Sequence, residues 1–243
     1  MTSPLFLLER FADPLPAVGE SVQLDGDEGR HAVVVRRLRP GESILLSNGR
    51  GLGLRGRVTH IAKASLTMEV TDQLSLPESE LRLVAVQALA KGDRSELALE
   101  MLTEMGVHEI VPWQASRSIV RWNGDRTEKS LARWRSTVRE ATKQSRRLRI
   151  PEVSEPLSTS RLVERISASD VSLVLHEEAT TPLSAVELPA AGEVLVVIGP
   201  EGGIGPDELA AFHGAGAQQV VISDAVLRTS TAGVVALAGL LLR

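Results

Sequence analysis

Short apolar runs bounded by Gly, Pro or polar residues recur along the chain, and each predicts a β-strand. In the second part of the chain they alternate with segments of helical periodicity. That alternation predicts an α/β domain with a parallel sheet and right-handed crossovers. The predicted strands of this part are Leu81–Gln87, Glu109–Pro112, Val171–Glu178, Val194–Ile198 and Gln219–Ile222.

The first part of the chain has closely spaced strand patterns and one helix, Asp27–Leu38, which predicts a small β-barrel. Pro77 and small polar residues suggest a linker over residues 74–80. We therefore predict a β-barrel domain over residues 1–74 and an α/β domain over residues 75–243. The predicted strands of the barrel are Leu5–Leu8, Ser21–Leu24, Ser43–Ser47, Gly53–Ile61 and Leu66–Val70.

Two helices of the α/β part have assignable faces. In Asp93–Met105, Asp93 is the predicted N-cap with Glu96 in the capping-box position, and Gly106 is the predicted C-terminal stop. A second helix is predicted over Trp134–Leu148. The spacing assigns to the core Leu97, Met101, Leu102 and Met105 of the first helix, and Leu131, Trp134, Val138 and Ala141 beside the second.

A glycine-rich turn follows the apolar run Val194–Ile198. Gly199, Gly202 and Gly203 lie in it, and Pro206 opens the next helix, with acidic residues in its first turn. Ligands of open α/β sheets bind outside the carboxyl ends of the strands, so this turn is the candidate ligand site. Its spacing is neither the dinucleotide-binding fingerprint nor a P-loop, so the pattern alone leaves the ligand open, and a plain strand-to-helix connection is the simpler interpretation.

Charge is unevenly distributed. The net charge is −4, yet from Arg117 to Arg149 eleven Lys and Arg residues stand against three Asp and Glu, and nine of the eleven are Arg. Arginine suits bidentate contacts with phosphate, so the stretch favours an RNA partner. The alternative is a solvated helix face. Helical spacing puts Arg135, Arg139, Lys143 and Arg146 on one side of the second helix.

Composition excludes several classes of protein. The chain has no Cys, which rules out disulfides and thiolate chemistry, and its five His residues lack metal-ligand spacing, so no metal is predicted. No apolar run approaches the roughly 18 residues of a membrane helix, and no signal peptide is indicated. We therefore expect a cytoplasmic protein.

Two motifs near the end of the chain resemble a known family. Ile198-Gly199-Pro200-Glu201-Gly202-Gly203 and Leu227-Arg228-Thr229-x-Thr231-Ala232 resemble the S-adenosylmethionine-binding end of SPOUT methyltransferases. Within these, the chain resembles the family that methylates N3 of a uridine in 16S ribosomal RNA. The resemblance implies a trefoil knot at about residues 195–235, a homodimer, and a PUA-like amino-terminal domain that contacts RNA.

The resemblance also implies roles for individual residues. Arg228 and Arg147 are the expected catalytic residues, and His176 and Glu201 are candidate bases by location only. The expected cofactor-binding residues are Leu175, His176, Ile198, Gly199, Pro200, Glu201, Gly202, Gly203, Ile222, Leu227, Thr229, Thr231 and Ala232. The expected RNA-binding residues are His31, Arg36, Lys91, Arg117, Arg139, Gln144 and Arg146.

The sequence departs from the family pattern at three positions. Ser230 and Lys143 stand where Glu is usual, and Asp224 stands where Gly is usual. Two alternatives therefore remain. One is a SPOUT methyltransferase with another RNA target, and the other is a non-catalytic RNA-binding or ribosome-assembly protein that keeps the scaffold.

Overall fold

A computed structural model describes residues 3–242. The chain forms two compact units. The first comprises the chain up to Glu78 together with Thr142–Ile150, and the second comprises Ser79–Ala141 and the chain from Pro151 onward.

The first unit is built on a five-stranded sheet. Its strands are β1 (Leu5–Leu7), β2 (Ser21–Leu24), β3 (Ser43–Ser47), β4 (Leu52–Ile61) and β5 (Leu66–Ser75), in the order β1-β3-β4-β5-β2. Only β1 and β3 are parallel. The predicted helix is present as α1 (Gly26–Arg30), which continues into one π-helical turn, His31–Val35. Every strand contributes to one core, including Phe6, Leu24, Ile44, Leu54 and Met68, so the sheet curls around it.

Residues 142–150 complete the first unit although they lie far along the chain. The backbone N–H of Gly51 donates to Leu148 O at 2.9 Å, and that of Ile150 donates to Gly49 O at 2.9 Å. Lys143 pairs with Glu28 at 3.1 Å, and the two side chains are only 8% and 13% exposed. Lys143 therefore belongs neither to an RNA-facing stripe nor to a solvated helix face, because Glu28 neutralises this lysine inside the unit.

We expect Lys143→Ala to lower the free energy of unfolding of the first unit by about 3 kcal/mol, because it leaves the Glu28 carboxylate buried without this cation. Urea denaturation compares it with Lys129→Ala, which removes an exposed lysine earlier in the same helix. Equal losses in the two variants would contradict the buried pair.

The second unit contains a six-stranded sheet in which every pairing is parallel. Its strands are β6 (Leu81–Ala88), β7 (Glu109–Trp113), β8 (Glu152–Val153), β9 (Val171–Leu175), β10 (Gly192–Ile198) and β11 (Gln218–Val220). The order is β11-β9-β10-β6-β7-β8. The predicted α/β domain with a parallel sheet is confirmed, although β11 is shorter than predicted and begins one residue earlier.

Helices α2 (Asp93–Met105), α3 (Asp125–Ser145), α4 (Thr159–Ala168), α5 (Pro206–Gly214) and α6 (Thr229–Leu241) follow. Three details correct the predictions. Gly92, not Asp93, is the N-cap of α2, and Glu96 instead pairs with Arg133. Leu97 is 45% exposed, because the buried face of α2 is formed by Ala98, Leu99, Leu102 and their neighbours. The helix predicted from Trp134 begins earlier, at Asp125, and ends before Arg146.

The path of the chain after β11 shapes the centre of the second unit. β11 is an edge strand beside β9, but the following helix α6 packs against α2, β10 and β6, so the chain returns from the edge to the middle of the sheet. The trefoil knot expected at about residues 195–235 stays a prediction. None of the helices between residues 3 and 242 combines the length and apolar character that crossing a bilayer requires.

Candidate functional site

A cleft of about 280 Å³ opens at the carboxyl ends of β9 and β10 and at the start of α6. This is the edge where parallel α/β sheets bind ligands. The cleft has apolar walls, with charged side chains also lining it. Its lining residues are Arg94, Leu175, His176, Glu177, Ile198, Gly199, Pro200, Glu201, Gly203, Ile204, Val226, Leu227, Arg228, Thr229 and Ala232.

The glycine-rich turn forms one wall, and its backbone requires glycine at two positions. Gly203 has φ of 72°, which L side chains rarely adopt, and its N–H donates to Pro200 O at 2.9 Å. A Cβ on Gly199 would lie 2.8 Å from Ile204 Cγ1. At Gly199 and Gly203 the wall of the cleft therefore consists of backbone without a side chain.

Two polar side chains fasten this wall to the start of α6. Thr229 Oγ1 donates to Gly199 O at 2.7 Å, and Gln87 Nε2 donates to Thr229 Oγ1 at 3.0 Å. Gln87 is fully buried at the end of β6. Gln87 was not among the predicted site residues, since a buried glutamine in a strand gives no signal in a single sequence.

The charged groups of the cleft differ in their partners. Glu201 Oε1 accepts hydrogen bonds from Lys91 N at 3.1 Å and Arg94 Nη1 at 3.3 Å, so its charge is balanced by Arg94. Arg228 is exposed at the N-cap of α6, and its guanidinium makes no ion pair with any residue in the described range 3–242. Arg228 is thus the cation of the cleft that keeps its charge for a ligand.

His176 follows β9 and forms part of a turn. Its ring Nδ1 accepts the backbone N–H of Glu178 at 3.2 Å, and the backbone N–H of His176 donates to Val220 O at 3.1 Å. The ring therefore reaches the cleft with its Nδ1 engaged by the backbone.

The structure brings most of the expected cofactor-binding residues together. Ile222 lines an adjoining cavity that shares Leu175, His176 and Leu227 with the cleft. Gly202 and Thr231 do not line either space: Gly202 packs on Arg117, and Thr231 Oγ1 donates to Arg228 O at 3.2 Å. The cleft also includes residues not expected from the sequence, namely Arg94, Glu177, Ile204 and Val226.

The expected RNA-binding and second catalytic residues are divided between the units. Lys91, Arg117 and Arg139 belong to the second unit, whereas His31, Arg36, Gln144, Arg146 and Arg147 belong to the first. Lys91, Arg117, Arg36, Gln144 and Arg146 are exposed, and Arg139 is half-buried. His31 packs edge-on against Phe6 with ring centroids 6.1 Å apart, and burial lowers the pKa of Arg147.

Glu208, in the first turn of α5, is buried beneath the glycine-rich turn. It accepts hydrogen bonds from Ser116 N, Ser116 Oγ, Thr159 Oγ1 and Gly205 N. Burial by itself raises the pKa of Glu208, but these hydrogen bonds together outweigh it and lower the pKa below the ordinary value of 4.5.

A lowered pKa in the folded state stabilises the fold above the unfolded-state value of 4.5, and that contribution is lost as pH falls through the folded-state pKa. We therefore expect wild-type protein to lose stability from about pH 5 downward more steeply than Glu208→Gln. Urea denaturation across this range measures the difference, and parallel pH profiles would contradict it.

Within residues 3–242, no group of three His, Cys, Asp or Glu side chains is arranged to hold a metal ion.

Comparison with known proteins gives concordant similarities over nearly the whole chain. Residues 77–241 match the model of an RNA methyltransferase domain, and residues 24–71 match that of an RNA methyltransferase PUA domain. A ribosomal RNA small subunit methyltransferase E from Mycobacterium bovis is 47% identical over 231 residues, which cover 93% of this chain and 88% of the relative. The protein of that name from Bacillus subtilis is 29% identical over 89% of this chain and 88% of its own.

A solved structure shows the same fold. The crystal structure of a ribosomal RNA small subunit methyltransferase E from Neisseria gonorrhoeae, bound to S-adenosyl methionine, superposes with a TM-score of 0.85 at 29% identity. The similarity covers 99% of this chain and 98% of that one.

Proposed function

Because this chain belongs to the ribosomal RNA small subunit methyltransferase E family, we propose that its cleft binds S-adenosylmethionine for transfer of the methyl group to N3 of a uridine in 16S ribosomal RNA. The chain is an RNA methyltransferase with a PUA domain. The cofactor-binding cleft, the residue roles and the modified atom are our assignments.

The cleft suits this cofactor chemically. Leu175, Ile198 and Leu227 offer apolar contacts for a planar base, while Gly199 and Gly203 have no side chain and let a ligand approach the backbone closely. The structurally similar Neisseria gonorrhoeae protein was solved with S-adenosyl methionine bound. When bound, S-adenosylmethionine supplies an electrophilic methyl group on a sulfonium.

The chemistry then requires a uridine whose N3 has lost its proton. A positive group beside the ring favours the developing negative charge. Arg228 meets that requirement, because it lines the cleft and its guanidinium has no ion-pair partner within residues 3–242. This unpaired cation is the observation that carries the proposal.

The two candidate bases differ in what already binds them. Glu201 is engaged by Lys91 N and Arg94, so we assign it to fixing the glycine-rich turn. His176 Nδ1 accepts the Glu178 N–H, so in the neutral ring Nε2 carries the proton and can only donate a hydrogen bond into the cleft. We therefore assign neither residue as the general base, and both stay candidates by location only.

The departure at Ser230 does not weaken the assignment. Ser230 is 4% exposed and does not line the cleft, and the proposed role of Arg228 requires no carboxylate at that position. Asp224 is exposed, before α6. Neither position favours a non-catalytic scaffold over an enzyme.

The proposal extends to RNA contacts, assembly and location. RNA would be held by His31, Arg36, Gln144 and Arg146 of the first unit and by Lys91, Arg117 and Arg139 of the second, with Arg147 as a second catalytic cation.

Exposed apolar side chains on and after α6, namely Val235, Leu241 and Leu242, support a homodimer. A ribosomal substrate implies a cytoplasmic protein.

Calorimetric titration with S-adenosylmethionine tests the cofactor site. We expect micromolar-range binding that Gly199→Ala weakens about tenfold, because the added Cβ collides with Ile204 in the wall of the cleft. Gly214→Ala is the matched control, since a Cβ there meets no atom within 4 Å. Absence of binding, or equal affinities of the two variants, would contradict the assigned cleft.

A further inference from the structure

Glu208 differs from an ordinary buried carboxylate in having no cation beside it. It is 5% exposed, and within residues 3–242 no Lys or Arg pairs with it. Its Oε1 accepts from Ser116 N and Thr159 Oγ1, both at 2.8 Å, and its Oε2 accepts from Ser116 Oγ at 2.7 Å and Gly205 N at 3.0 Å. Four donors directed at one carboxylate stabilise its charged form without a salt bridge.

These donors come from three separate segments. Ser116 follows β7, Thr159 is the first residue of α4, and Gly205 ends the glycine-rich turn as the N-cap of α5. The Glu208 side chain therefore connects the glycine-rich turn both to the segment after β7 and to the start of α4.

The glycine-rich turn and the segment after β7 also pack closely against each other. Arg117 Nη1 donates to Gly202 O at 3.3 Å. A Cβ on Gly202 would lie 3.2 Å from both Arg117 Cβ and Arg117 O, and a Cβ on Gly205 would lie 3.0 Å from Ser116 Oγ. Side chains at these two glycines would press the segments apart, so the glycines allow them to pack as one layer.

From this geometry we infer that Glu208 is a positioning residue, which holds the glycine-rich turn and Ser116–Arg117 as a single unit in the conformation that binds the cofactor. The inference rests on the proposed function of the cleft. It follows that a change in contacts at Arg117, an expected RNA-binding residue, alters cofactor affinity through this unit.

Comparing Asp207→Asn with Glu208→Gln distinguishes the positioning role of Glu208 from a general effect of losing a negative charge. Both acids lie in the first turn of α5 and both favour its helix dipole, but Asp207 is exposed. Asp207→Asn therefore removes the dipole contribution and leaves the fastening intact, whereas Glu208→Gln replaces an acceptor oxygen with an amide that cannot accept.

The test measures S-adenosylmethionine affinity by calorimetry, and KM and kcat on small ribosomal subunits, at a temperature where circular dichroism shows each variant folded. We expect Glu208→Gln to weaken cofactor affinity about tenfold and to raise KM for the cofactor more than it lowers kcat. Asp207→Asn should stay within about twofold of wild type. A merely structural role would lower stability without this selective rise in KM.

A double-mutant cycle with Arg117→Ala tests the single unit directly. We expect Arg117→Ala to weaken cofactor binding about threefold in the wild-type background and to have little effect in the Glu208→Gln background. Additive effects would contradict the coupling.

Wild-type affinity in folded Glu208→Gln would overturn the inference. If Glu208→Gln does not fold, Ser116→Ala decides, because it removes one of the four hydrogen bonds: an affinity about threefold weaker supports the inference, and an unchanged affinity overturns it. Failure of the wild-type protein to bind S-adenosylmethionine would instead contradict the proposed function.

Discussion

Arg228→Ala is expected to lower kcat for RNA methylation by about two to three orders of magnitude while cofactor affinity stays within about threefold. Arg228 lines the cleft with its guanidinium unpaired, whereas the neighbouring Arg94 is already balanced by Glu201. The backbone carbonyl of Arg228 caps α6 by accepting the N–H groups of Thr231 and Ala232, both at 2.9 Å. Because these bonds do not involve the side chain, truncation should remove the cation and keep the fold.

Two further variants provide reference values of kcat for comparison with Arg228→Ala. Arg228→Lys keeps the charge but loses the planar fork, so an intermediate rate is expected. Arg161→Ala is the matched control, since Arg161 is an exposed arginine on α4 that pairs with Glu164 outside the cleft. A kcat for Arg228→Ala close to that of Arg161→Ala would show that Arg228 does not act on the transition state.

Trp113→Ala is expected to lower the free energy of unfolding of the second unit by about 3–5 kcal/mol. Trp113 is fully buried at the end of β7 and packs edge-on against Phe212 of α5, with ring centroids 5.3 Å apart. Its Nε1 donates to Thr159 Oγ1 at 3.3 Å, and Thr159 in turn donates to Glu208. The substitution therefore opens a cavity in the core and loosens the support of the glycine-rich turn.

Guanidinium denaturation followed by circular dichroism measures this loss. Trp113→Phe should lose less, because a ring remains against Phe212. Leu97→Ala should change stability by less than about 0.5 kcal/mol, because Leu97 is exposed on α2. A loss below about 1 kcal/mol for Trp113→Ala would contradict the buried position of Trp113.

Local sequence signals predicted much of the second unit. The apolar run Val194–Ile198 with its following glycines gave both β10 and the position of the cleft, and Pro206 marked the start of α5. Such features are encoded by neighbouring residues, through strand propensity and the helix dipole, so one sequence suffices. The same periodicity failed on α2, where Leu97 fits an apolar stripe but lies on the exposed side.

Long-range contacts could not be predicted in the same way. Glu208 receives hydrogen bonds from residues 92 and 49 positions earlier, and Gln87 bonds to Thr229 across 142 positions. Residues 142–150 pack with the first unit, so Lys143 meets Glu28 and contributes no free charge to the basic stretch. These pairings depend on the folded topology, because no local pattern distinguishes a buried, paired lysine from an exposed one.

Nucleoside analysis of small ribosomal subunits tests whether the protein methylates N3 of a uridine in 16S ribosomal RNA. Unmodified subunits are incubated with purified protein and labelled S-adenosylmethionine, and the digested RNA is separated into nucleosides. We expect labelled N3-methyluridine, strongly reduced with Arg228→Ala. Label in a different nucleoside would contradict the assigned target atom, and absence of label despite cofactor binding would contradict the assigned activity on this substrate.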